Sequence, residues 1–131
     1  MSTASERHAA AREAVAQALA SGARVTIAPQ NVYEFWSLAT RPIESNGLGW
    51  TVQRTRYAIE TFRSRFPTLH EPPEVLEIWL DLVAAHGLKG KRIHDAHLLA
   101  TMKANGVSRL LTFNAADFPA MDDIAILTPG L

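Results

Sequence analysis

Two apolar patterns take turns along this chain, one with a period near 3.6 residues and one of short unbroken runs. Their order predicts alternating helices and strands. Thr3-Ala4-Ser5-Glu6 has the form of a capping box, and the Ala-rich stretch to Ala20 places Ala11, Val15 and Leu19 on one stripe, closed by Ser21-Gly22. Val25-Thr26-Ile27-Ala28 reads as a buried strand. Pro29 suits a first helical turn, and Val32, Phe35, Trp36 and Ala39 give that helix its apolar face before Arg41-Pro42 ends it. After a Gly47-Leu48-Gly49 loop, a third helix is expected from about Thr51 to Arg65, with Val52, Tyr57, Ile59 and Phe62 partly buried.

Thr68-Leu69-His70 reads as a short edge strand. Pro72-Pro73 opens a helix through Val75, Ile78, Trp79, Leu82 and Val83 to Gly87, and a further helix runs from about Ile93 to Asn105-Gly106. Ser108 to Phe113 and Ile124 to Leu127 read as strands. This alternation predicts an α/β domain with a parallel sheet and helices on its faces, spanning residues 1–131. No internal repeat, low-complexity segment or linker interrupts it.

Composition narrows the function classes. A chain of 131 residues, 47% hydrophobic, suffices for one ordinary core. Thirteen basic and thirteen acidic residues cancel, so any nucleic-acid contact has to come from a local basic face. The absence of cysteine excludes disulfides and thiolate metal sites. No apolar run is long enough to span a bilayer and no signal-peptide pattern opens the chain, so the expected setting is cytoplasmic, with no membrane partner.

Three acids stand at the ends of elements. Asp95 lies near the start of an apolar-backed helix in Lys91-Arg92-Ile93-His94-Asp95-Ala96-His97, Asp117 lies just beyond a strand in Thr112-Phe113-Asn114-Ala115-Ala116-Asp117, and Glu34 is early in a helix that follows a strand. Mg²⁺ and Mn²⁺ take oxygen ligands and keep several waters, so a few convergent carboxylates suffice. In an open α/β sheet such groups gather beyond the strand carboxyl ends. Each acid also has a simpler reading. Asp95 and Glu34 suit a first helical turn through the helix dipole, and Asn114 and Asp117 suit a polar turn.

The chain resembles PIN-domain ribonucleases of the toxin type found in bacterial toxin–antitoxin pairs, the VapC group. The matching pieces are Val32-Tyr33-Glu34-Phe35, Thr40-Arg41-Pro42, His94-Asp95-Ala96-His97-Leu98-Leu99-Ala100 and Leu111-Thr112-Phe113-Asn114-Ala115-Ala116-Asp117-Phe118. The resemblance implies a PIN-like α/β/α sandwich with a parallel central sheet and a Mg²⁺- or Mn²⁺-dependent endoribonuclease. Glu34, Asp95 and Asp117 would be its metal-site acids, and Asn114 would orient them. It also implies an RNA substrate, an antitoxin protein as partner and a homodimer. Lys91 and Arg92, with Arg41, are the expected contacts to the RNA backbone.

One departure stands beside the match. Members of this family normally begin with a central strand ending in Asp-Thr-Asn or similar, whose Asp is a metal ligand, whereas Thr3 here caps a helix. The resemblance therefore implies that the first strand is missing, leaving ladder groups of its two neighbours to be satisfied otherwise. Either an upstream segment supplies it or the domain is a degenerate form with impaired metal binding; the rest of the motif set, being intact, favours the first.

Two other function classes are carried forward. One is a non-catalytic PIN-like module that binds an antitoxin or RNA. The other is an HD-type phosphohydrolase suggested by His94-Asp95, with His70 and His86 in support, against which stand the strand-like segments. His94 and His97, three apart, share a helix face as a transition-metal pair would, although such residues more often flank a core stripe. The third helix is basic through Arg54, Arg56, Arg63 and Arg65, and Glu60 is spaced to pair with Arg56. Trp36 and Trp50 are candidates for an oligomer or antitoxin groove.

Overall fold

A computed structural model describes residues 3–130, which form two compact units: the chain up to Thr68 together with Gly130, and Leu69–Pro129. The first unit holds α1 (Ala4–Ala20), α2 (Pro29–Thr40) and α3 (Val52–Arg65). The second holds α4 (Glu74–His86), α5 (Arg92–Ala104), β1 (Arg109–Leu111) and β2 (Ala125–Leu127). Helices are in the majority, and the two strands pair in parallel with Arg109 opposite Ala125 and Leu111 opposite Leu127. No described helix is long and apolar enough to cross a membrane.

The local signals decide where the helices begin. The Thr3 N–H donates to Glu6 Oε2 at 2.8 Å while the Glu6 N–H donates to Thr3 Oγ1 at 3.1 Å, completing the capping box of α1. Ala28 offers no side-chain cap to α2, and the Asn31 side chain reaches back instead, its Oδ1 accepting from the Ala28 N–H at 2.7 Å. Thr51 Oγ1 caps α3 through the Arg54 N–H at 3.1 Å.

In the first unit Ala4, Ala39 and Leu48 form a buried cluster against which Phe35, Leu38 and Trp50 pack. The loop after α2 is shaped by the carbonyls that helix leaves unpaired. Leu48 N–H donates to Leu38 O at 3.1 Å, Trp50 N–H to Ala39 O at 2.8 Å and Gly49 N–H to Arg41 O at 2.9 Å. Asn46, in the left-handed region at φ 58°, turns the chain there and accepts from the Ala4 N–H at 2.8 Å.

Several expectations are modified. The strand at Val25–Ala28 reduces to a single parallel bridge, Ile27 with Thr68. The Ile27 N–H donates to Pro67 O at 3.1 Å, but proline has no N–H to return, so the ladder does not extend on that side, and α2 starts two residues later. In α3, Ile59 is buried, yet Val52 and Tyr57 are exposed. Val52 sits at the open end of the helix, and Tyr57 lies some 200° from Ile59 around the axis. Glu60 pairs with Arg63 at 3.3 Å instead of Arg56, an exposed pair of small energetic weight.

In the second unit, α4 packs along α5. Ala96, Leu98, Leu99, Ala100 and Met102 are buried, with Val75 and Leu82 from α4. Trp79 fixes the pair: its Nε1–H donates to Ile93 O at 2.8 Å. The strands place Leu110 and Ile126 half-buried, and their other face leaves Leu111 and Leu127 exposed.

Candidate functional site

Asp95 lies in the first turn of α5, half-buried, and Ala96 beside it is fully buried. This helix has no side-chain cap. Gly90, at φ 58°, starts the turn, and the N–H groups of Arg92, Ile93 and His94 donate to the carbonyls of Lys89, Gly90 and Lys91. The positive end of the α5 dipole therefore favours the Asp95 carboxylate.

Asn114 and Asp117 belong to the turn that leaves β1. The Asn114 N–H donates to Thr112 Oγ1 at 3.1 Å, and Asn114 O accepts from the Asp117 N–H at 2.9 Å, setting a single 3₁₀ turn over Ala115–Asp117. Both side chains are exposed. Arg92 Nη2–H donates to Asp117 O at 3.3 Å, joining the turn after β1 to the residues that open α5. Thus the second unit brings the Arg92–Asp95 turn and the Asn114–Asp117 turn to one end of its strands. Lys91 and Arg92 are exposed at that end.

Glu34 lies in the first unit, exposed on α2, where its Oε1 accepts from Gln30 Nε2 at 3.1 Å across one helical turn. Arg41, the last residue of α2's exit, is also exposed. Among the described residues no group of three or more His, Cys, Asp or Glu side chains is placed to hold a metal ion. A hard cation does not require one. Mg²⁺ is commonly held by one or two carboxylates, with water and substrate phosphates completing its shell, and the donor chemistry of Asp95 and Asp117 fits that mode.

His94 and His97 open onto a cleft of about 420 Å³ whose walls include Pro72, Leu76, Trp79 and Ile93. His97 Nε2 pairs with Glu71 Oε1. That acid was not foreseen from the sequence, because it comes from the segment before α4, 26 residues away. The pairing accounts for His97 without a transition metal.

Sequence reasoning also missed an aromatic and basic group in the first unit. His8 from α1 stacks near Phe35 with ring centroids 6.1 Å apart and meets the Trp50 ring edge-on at 5.4 Å. Phe35 meets Phe62 edge-on as well. This places Trp50 half-buried within an aromatic cluster. Burial, then the guanidinium charges of Arg12 and Arg54, hold the His8 imidazole below its usual value of 6.5. The unfolded chain therefore binds the proton more readily than the folded one. The stability linked to His8 is complete above pH 6.5 and is lost as the pH falls through that value toward the lower folded pKa. A His8→Phe variant removes this dependence. The Tm of the variant relative to the wild type is expected to rise between about pH 7.5 and about pH 5.5 in thermal melts, and parallel curves would contradict the assignment.

A helical majority with a small parallel strand pair, and acids in a first helical turn and just past a strand, defines an α/β protein with acidic element ends. The family model of the PIN domain matches residues 3–124, and the chain belongs to the PIN-domain family. PIN domains are typically nucleases that depend on divalent metal, which supports a nuclease-type function and RNA binding, and sets aside the all-helical HD reading. No curated protein and no solved structure matches the chain.

Proposed function

We propose that this PIN domain, one domain over residues 1–131, is a metal-dependent endoribonuclease and the toxin of a toxin–antitoxin pair. Its partners are then RNA, an antitoxin and a second copy of itself, in the cytoplasm. The observation that supports the reading best is the Arg92–Asp117 bond, which ties the residues that open α5 to the turn after β1, the two segments that carry Asp95 and Asp117. Asp95 and Asp117 are the residues that would hold Mg²⁺ or Mn²⁺, and Glu34 is the further acid that the family resemblance names. When bound, the ion supplies a water of lowered pKa and neutralises phosphate charge.

The chain's own contribution is positioning. Asp95 is held by α5, whose buried side continues through Leu98 and Leu99. The Asn114 main chain sets the turn that presents Asp117. Lys91 and Arg92 precede Asp95 and are the cations for the RNA phosphate, with Arg41 contributing from the end of α2. Hydrolysis adds water across the P–O bond, leaving a phosphate on one RNA fragment and a hydroxyl on the other.

The second reading, a non-catalytic module that binds RNA or an antitoxin, is favoured by one observation: no three potential ligands are grouped for a metal among the described residues. Cleavage of structured and single-stranded RNA, with Mg²⁺ or Mn²⁺ and against EDTA, separates the two. The nuclease reading expects metal-dependent cutting that falls about a hundredfold in Asp95→Asn, as loss of a metal-site group does. A folded protein that neither cuts RNA nor binds Mn²⁺ would leave the binding module standing.

A further inference from the structure

Arg54 is exposed, and its guanidinium carbon lies 4.2 Å from the centroid of the Trp50 ring. The same indole receives the edge of His8 from α1. Arg12 lies one helical turn beyond His8 and acts electrostatically on it together with Arg54. His8 from α1 and Arg54 from α3 thus meet at one tryptophan, with Arg12 one helical turn beyond His8. Among the described residues, the ion pairs Arg63–Glu60 and His97–Glu71 involve neither Arg12 nor Arg54.

A chain with thirteen acids and thirteen bases has enough carboxylates to neutralise such a group, yet among the described residues no carboxylate pairs with these guanidiniums. Two features prepare them for an anion. Stacking on Trp50 orders the Arg54 side chain before any ligand arrives, reducing what binding must immobilise, and leaves the N–H fork at its rim available. Arg54 also stands in the first turn of α3, a helix of 14 residues, so the positive end of that dipole lies with the guanidinium. A planar fork beside a second guanidinium and an imidazole matches the tetrahedral oxygens of a phosphodiester.

We propose that Arg54 and His8, assembled on Trp50, together with Arg12 one helical turn from His8, form a phosphate-binding site for the backbone of single-stranded RNA, made of residues other than Lys91 and Arg92. The proposal rests on the RNA-directed reading above and assigns the first unit a role in holding the substrate. A polyanion crossing this group replaces the missing carboxylates and releases counterions, so the contribution is read in the salt dependence of binding.

Fluorescence anisotropy with a short labelled single-stranded RNA, in EDTA to prevent cleavage, tests this. Affinity is measured for the wild type, Arg12→Gln, and Arg12→Gln combined with Arg54→Gln. Each lost contact is expected to flatten the slope of log K against log salt by about 0.7, and the double variant to bind about tenfold more weakly near 0.1 M salt. Arg12 is exposed, so the single variant gives half the slope change even if Arg54→Gln disturbs the packing at Trp50. Wild-type binding with slope and affinity unchanged in both variants overturns this site and leaves the ribonuclease reading intact. That result would also be the signature of a cluster reserved for an acidic protein segment. Absence of RNA binding by the wild type at every salt concentration also overturns this site, while the ribonuclease reading is judged by the cleavage assay with Mg²⁺ or Mn²⁺.

Discussion

Gly47→Ala is expected to destabilise the protein by about 4 kcal/mol, with Tm lowered by about 15 °C in thermal denaturation. Gly47 is buried where the loop after α2 folds back on that helix's end. A Cβ there would overlap the carbonyl oxygen and Cβ of Arg41. Backbone is the obstacle, so no side-chain rotation relieves it. Arg41 is fixed from both sides: its N–H donates to Ser37 O at 3.2 Å and its O accepts from Gly49 at 2.9 Å. Moving it would also break the bonds that satisfy the carbonyls at the C-terminal end of α2 and would loosen Leu48 and Trp50 from the cluster around Ala39. By contrast Gly22→Ala meets no atom within 4 Å and incurs only the strain of its φ of 87°, about 1 kcal/mol. Similar small losses in both variants would show that the loop adapts and that the close approach is not structural.

Leu99→Ala is expected to lower stability by about 3 kcal/mol, the range in which deletion of a fully buried leucine leaves a cavity. Leu99 is 0% exposed and, with Thr55, is among the largest side chains completely enclosed in the protein. It sits on α5 one turn after Asp95, between Leu98 and Ala100, and keeps the helix that presents Asp95 against its unit. Urea denaturation should show a lower midpoint with little change in m. Leu111→Ala, at a position 40% exposed, should cost far less, since its side chain is partly in water already. Equal losses in the two would indicate that Leu99 is not the enclosed residue of this unit.

The helices were legible because their determinants are local. The Thr3 and Glu6 box, the Thr51 cap, Pro29 at the head of α2 and Gly87 after α4 all act within a few residues. They set boundaries within a residue or two of those expected. Strands were less legible, since a strand exists only through its partner. Val25–Ala28 has strand character in sequence, but only the single bridge of Ile27 with Thr68 is formed, beside Pro67. At the site, sequence placed Asp95 in a first helical turn and Asp117 past a strand, because both positions follow from element order. The bond between Arg92 and the Asp117 carbonyl spans 25 residues, and nothing in the spacing announces it.

The amino-acid sequence by itself determined the helices, the parallel character of the strand pair, the family resemblance and the list of acids. Those depend on periodicity, caps and short motifs, which act over one or two turns of chain. Tertiary structure decided which residues share a neighbourhood. It set Glu71 against His97, closed the loop of Gly47 onto Arg41, and assembled His8 and Arg54 on Trp50 from segments more than forty residues apart. Charge and aromatic contacts act through space over a few ångströms, so their pairing is fixed only when the chain has folded.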